Sequence, residues 1–147
     1  MSKEQQNTLP ENFSELKKSV NRQANWEERR HAVNELAQYN IDETTKILTY
    51  VAKADLVTAV REAAAQALKN MGKPVPAYEA PKGELMKDMP KVFLRLKKSL
   101  PANHTVEDFK EKLAKTRSDM YNTYEGEKGA QFDAWIHEMW EKTITRK

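Results

Sequence analysis

Between residues 55 and 72 the side chains of Val57, Val60, Ala63, Ala64, Ala67, Leu68 and Met71 recur every three or four positions. The run stops at Gly72, with Pro74 and Pro76 just beyond. That spacing puts the whole set on one face of an α-helix, and the alanines in it are small enough for a second helix to approach closely. A face of this width is not stable in water alone, so the chain must stack helix upon helix.

The same period governs most of the rest. Phe13, Leu16 and Val20 form a short stripe after Pro10, and Asn25 is placed to cap a helix from Trp26 to about Tyr39 that buries Ala32, Val33, Leu36 and Ala37. Asp42 is the expected cap of a third helix, with Ile47, Leu48 and Val51 inward, and Asp55 of the fourth. Residues 73–83 carry three prolines and predict an extended connection. Beyond it, Asp88 before Met89 and Pro90 starts a helix burying Val92, Phe93, Leu96 and Leu100, which Pro101 ends. Thr105 and Asp108 have capping-box spacing ahead of Val106, Phe109, Leu113 and Ala114. Phe132, Trp135, Ile136, Met139 and Trp140 make a last, wide stripe. No segment alternates as a strand does, and the expected fold class is all-α.

Composition then narrows the chemistry. The 147 residues include no cysteine, which excludes disulfides, thiolate catalysis and Cys-ligated metal centres. The longest apolar stretches fall far short of the roughly 20 residues that cross a bilayer, and no apolar signal core follows the first residues. A cytoplasmic protein with no membrane association is the expectation. The net charge of +3 allows acidic partners without requiring them.

Offset by 31 residues, Arg30-His31-Ala32-Val33 falls on Arg61-Glu62-Ala63-Ala64, and Leu36-Ala37 falls on Ala67-Leu68. Two helical hairpins, the second carrying Asp55, Val60-Arg61, Ala63-Ala64, Ala67-Leu68 and Gly72, resemble HEAT repeats of the short bacterial type over about residues 12–72. The first hairpin is degenerate, with Asn25 near the acid's place and Arg29-Arg30 where Val-Arg would stand. The resemblance implies a short α-solenoid in which Arg30, Asp55 and Arg61 bond between or within repeats. Since repeat arrays need about three units or capping ends, the expected organisation is a single domain over 1–147. In it the hairpins at 12–72 and the connection at 73–83 are followed by a C-terminal helical cap at 84–147.

Few residues suggest chemistry. His31, His104 and His137 lack metal-ligand spacing, so no metal and no cofactor are expected. Asp133 near Trp135 would suit a base-excising glycosylase, since some helical-repeat enzymes similar to this chain remove damaged DNA bases, but a carboxylate in a first helical turn has a simpler use with the helix dipole. Gly126-Glu127-Lys128-Gly129 has the GxxG form of a phosphate clamp, yet Glu125 and Glu127 would repel phosphate, and a tight turn between helices is the better reading.

The surface feature with direction is basic. Lys87, Lys91, Arg95 and Lys98 step by four, four and three and form one ridge if the helix runs across Pro90. Residues 82–117 hold ten basic against five acidic side chains, and residues 118–141 hold one against six. The expected function is a non-enzymatic protein-interaction or scaffold module contacting its partner through Lys87, Lys91, Arg95 and Lys98, with Trp26 and Arg29 as further binding candidates. The alternative is a nucleic-acid binder using the same ridge with Lys110, and an enzyme stands third.

Overall fold

The computed structural model describes residues 11–22 and 24–143. Among them are eight α-helices, one short 3-10 turn and no extended strand, so the protein is all-α. The helices form two compact units, one ending at Ala80 and the other beginning at Pro81.

The first unit contains α1 (Phe13–Val20), α2 (Trp26–Leu36), α3 (Asp42–Ala54) and α4 (Thr58–Asn70). α1 packs on α2, α3 on α4, and α2 lies against α4. Ala32, Val33, Leu36, Leu48, Val60, Ala64 and Leu68 are completely buried in one cluster, as their spacing requires. Asn25 caps α2 by accepting a hydrogen bond from the Glu28 backbone N–H at 3.0 Å. The helix ends at Leu36 rather than near Tyr39, because the Gln38 and Tyr39 N–H groups turn back to the carbonyls three residues earlier. Asp42 is the first residue of α3, with Ile41 in the cap position. Asp55 closes α3 and accepts from the Val57 N–H at 2.9 Å, so it organises the bend into α4 from two residues before that helix's cap, Val57.

Gly72 ends α4 with φ at +71°, a left-handed conformation that strains any residue with a Cβ. The N–H groups of Gly72 and Lys73 return to the Lys69 and Leu68 carbonyls at 3.0 and 2.9 Å, a Schellman closure. The proline-containing connection is then tied back to its own unit. Glu79 donates its backbone N–H to the Lys53 carbonyl at 2.9 Å and pairs with the Lys53 ammonium, while Tyr78 lies under the Arg61 guanidinium. A carbonyl in the last turn of α3 thereby gains a donor that the helix cannot supply.

Thr44 is completely buried in this unit, and its hydroxyl finds no partner among the described residues. A hydroxyl without a hydrogen bond contributes its desolvation cost and nothing in return. Thr44→Val, close in shape, is therefore expected to leave stability unchanged or raise it by up to about 1 kcal/mol. Urea denaturation measures the change, and a loss above that size would reveal a partner for the hydroxyl.

The second unit contains α5 (Met89–Ser99), α6 (Val106–Thr116), α7 (Ser118–Lys128), a 3-10 turn over Gly129–Gln131, and α8 (Phe132–Lys142). α6 packs on α7, and α8 is held by both. The Thr105–Asp108 capping box forms with both of its hydrogen bonds, at 3.0 and 3.2 Å. The core is aromatic: Phe93 meets Phe109 and Trp135 edge-on at centroid distances of 5.0 and 6.0 Å, and Tyr124 stacks on Trp135 at 4.5 Å.

The stripe from Phe132 to Trp140 is covered within its own unit by Phe93, Tyr121, Tyr124 and His104. The second half therefore has a core cluster of its own within the second compact unit. The tight turn between helices expected at the GxxG segment forms at its second glycine. Gly126 lies inside α7, and the turn comes at Gly129, whose φ of +56° stops the helix.

Candidate functional site

The sequence of α5, Met-Pro-Lys-Val-Phe-Leu-Arg-Leu-Lys-Lys-Ser, has four cations and no acid. Its inward face is apolar, with Met89, Val92, Phe93 and Leu96 buried. Packing of those four turns Lys91, Arg95 and Lys98 to solvent, and all three are exposed. The helix begins at Met89 with Pro90 in its first turn, so Lys87 lies in the preceding turn rather than on the helix, and it too is exposed.

The other cations of this unit are mostly engaged. Lys97 points the other way from the ridge, donates to the carbonyls of Trp140 and Thr143 at 2.5 and 2.7 Å, and lies over the Trp140 ring. It thus serves the C-terminal end of α8, where carbonyls lack helical partners. Lys110 bonds Asp133 at 2.5 Å, and that hydrogen bond outweighs partial burial to hold its ammonium above the ordinary lysine range. Arg117 bridges Asp119 and Asp88 at 3.0 and 2.9 Å; these bonds raise the guanidinium further, and Arg117 in turn lowers the Asp119 carboxyl. Lys112 donates to Ser99, Lys115 pairs with Glu111, and Lys142 with Glu138. Lys128 lies over the Trp135 ring.

Among the described residues, Lys87, Lys91, Arg95 and Lys98 enter no ion pair. Arg117 draws Asp88, the acid nearest them in sequence, to itself. Leu94 stands among the ridge residues, half-buried and outside the core cluster. The sequence reading passed over it because one leucine among lysines shows no stripe, although its position three residues after Lys91 and four before Lys98 puts it on their face.

The remaining candidates have structural roles. Arg29, expected as a binding residue, is buried: its guanidinium grips Asp55 with two hydrogen bonds, at 2.8 and 3.2 Å, and donates to the Arg22 carbonyl at 2.5 Å. Arg30, expected to bond within the repeats, is exposed and lies 4.9 Å over the Trp26 ring. This exchange follows from register: Arg29, Ala32, Val33 and Leu36 share the buried face of α2, and Arg30 falls off it. Trp26 is half-buried and packs on the core. Arg61 donates to the Asp55 carbonyl and to the Thr58 hydroxyl, each at 2.8 Å.

His31 and His137 face Glu35 and Glu141 on their own helices, whereas His104 accepts the Trp140 indole N–H at 2.9 Å. No group of three His, Asp or Glu side chains suited to a metal occurs among the described residues. Asp133 is 80% exposed and taken up by Lys110. Tyr124, missed in the sequence reading, is buried; it donates to Glu84 at 2.6 Å and accepts from the Met86 N–H at 3.1 Å. Burial and the Glu84 carboxylate push its phenol up, which keeps it a neutral donor.

No described helix is long and apolar enough to cross a membrane. No family model matches this chain, and neither does any curated protein or solved structure with which it was compared.

Proposed function

We propose that the protein is a non-enzymatic protein-interaction module acting in the cytoplasm, built on two HEAT-like hairpins, that offers the outer face of α5 to an acidic protein partner. The observation that carries this reading is the group of four cations beside α5 that have no ion partner among the described residues, in a unit whose other cations mostly have assigned contacts. Charges left unpaired are available to a partner without breaking an internal bond, and they steer association with an acidic surface. The HEAT-like part of the reading draws support from the contact of α2 with α4, whose Ala32, Ala64 and Ala67 are buried in one cluster, and from the Arg29–Asp55 bond between the hairpins.

Nucleic acid is less well matched. Lys91 to Lys98 span about 10 Å along the helix, enough for only two or three phosphates, whereas duplex binding of useful strength commonly draws on six to ten. The large hydrophobic side chains that are exposed, Tyr50 and Val75, lie in the other unit, so no exposed aromatic platform for bases accompanies the ridge among the described residues.

The test is affinity capture from a nuclease-treated lysate with the parent and with a Lys91→Ala, Arg95→Ala, Lys98→Ala variant side by side. Exposed ion pairs contribute about 0.2–1 kcal/mol each, so the triple variant is expected to weaken capture of the partner by about 0.6–3 kcal/mol without changing the helical circular dichroism. Recovery of the same proteins in equal amount by both would overturn the reading. Retention on DNA before nuclease treatment, with a salt slope near −0.9 per phosphate, would replace it by the nucleic-acid alternative.

A further inference from the structure

Resting on that reading of α5, we infer that the partner's contacting element is an acidic amphipathic helix whose carboxylates flank an apolar side chain that seats on Leu94. Three features of the face carry this. Its cations are spaced four and three residues apart, so they lie along one helical ridge. A second helix with acids at the same three- and four-residue spacing meets them in register, the arrangement by which charged flanks fix the pairing of adjacent helices. Leu94 sits inside the cationic group, half-buried and outside the core cluster, so it offers an apolar contact that a purely ionic partner would not use. Finally, the unit itself holds the face rigid. Phe93, the residue before Leu94, is wedged between Phe109 and Trp135, and Lys97 between the ridge positions is tied to the end of α8. A partner therefore meets a preformed surface with little ordering left to be done at α5. A helix laid along an apolar and charged face is recognised through anchors at this same spacing.

The experiment uses the full chain and three labelled probes in fluorescence anisotropy at low salt. The first is a peptide of about 15 residues built from Glu, Leu and Ala, with leucines on one helical face and glutamates flanking them. The second has the same composition scrambled so that neither residue type forms a face, and the third is single-stranded DNA of about 20 nucleotides. The expected result is that the patterned peptide binds at least tenfold more tightly than either other probe. The triple alanine variant should lose at least tenfold for it, and Leu94→Ser at least threefold with unchanged circular dichroism. If the scrambled peptide or the DNA binds as tightly as the patterned one and the triple variant weakens both, α5 remains a binding surface and the helical acidic partner is overturned. If Leu94→Ser binds the patterned peptide like the parent, the apolar seat is overturned. If the patterned peptide does not bind, or binds the triple variant as it binds the parent, the inference falls; in the latter case the use of α5 falls with it.

Discussion

Arg29→Ala is expected to destabilise the first unit by about 3–5 kcal/mol, the range seen when one partner of a buried ion pair is removed. Both side chains of the Arg29–Asp55 pair are 7% exposed. Truncating Arg29 leaves the Asp55 carboxylate in a dry place with the Val57 N–H as its one side-chain-directed donor among the described residues, and removes the shorter of the two hydrogen bonds at the Arg22 carbonyl, which also accepts from the Asn25 N–H at 3.4 Å. The pair also joins α2 to the bend between α3 and α4, so the loss acts on the contact between hairpins rather than within one. Removing both partners should cost less than the sum of the single losses, because the double variant buries no lone charge. Arg30→Ala, one residue away and exposed, should change stability by about 0.5 kcal/mol or less. Urea midpoints for Arg29→Ala, Asp55→Ala, the double variant and Arg30→Ala give all four quantities. Equal effects at positions 29 and 30 would show that the buried pair does not hold the hairpins together.

The same two residues show where the sequence was legible and where it was not. Helical spacing located seven of the eight α-helices, and capping chemistry placed the starts at Asn25 and Thr105, because those signals are local and repeat along the chain. The alignment of the two hairpins by residue type matched Arg30 to Arg61, whereas burial follows the face containing Ala32, Val33 and Leu36, and that face includes Arg29. The periodicity already held the answer, but a charged residue on an apolar stripe is hidden by its own polarity until its partner, 26 residues away, is known. α7 escaped notice for a related reason. Its inward positions are Met120, Thr123 and Tyr124, and it contains Gly126, so neither its apolar pattern nor its helix propensity marks it. Its Tyr124 is needed by Trp135 and Glu84, which are distant in sequence. The ridge was readable as spacing, but not the fact that Lys97 leaves it for the end of α8, since the neighbours that occupy or spare each cation are set by tertiary structure.

Phe93→Ala in the second unit is expected to cost about 3–5 kcal/mol, as large-to-small changes at fully buried aromatic positions do. The ring is 1% exposed and makes edge contacts with both Phe109 and Trp135, so its removal opens a space that α6 and α8 cannot close without giving up their own packing. Phe93→Leu keeps most of the volume and should cost clearly less. The neighbouring Leu94→Ala, outside the core cluster, should fall within about 1 kcal/mol of the parent. Adjacent residues on one helix thus separate the two duties of α5: Phe93 fixes the helix to its unit, and Leu94 with Lys91, Arg95 and Lys98 faces outward. Thermal and urea unfolding followed by Trp135 and Trp140 fluorescence in a Trp26→Phe background measure the first duty, and peptide binding under fully folded conditions measures the second. A Phe93→Ala protein that stays folded should bind the patterned peptide more weakly than the parent, because its outer face is no longer held in place, while Leu94→Ala should lose affinity at parental stability. If Leu94→Ala proves as destabilising as Phe93→Ala, then Leu94 belongs to the core and the outward face of α5 reduces to its charges.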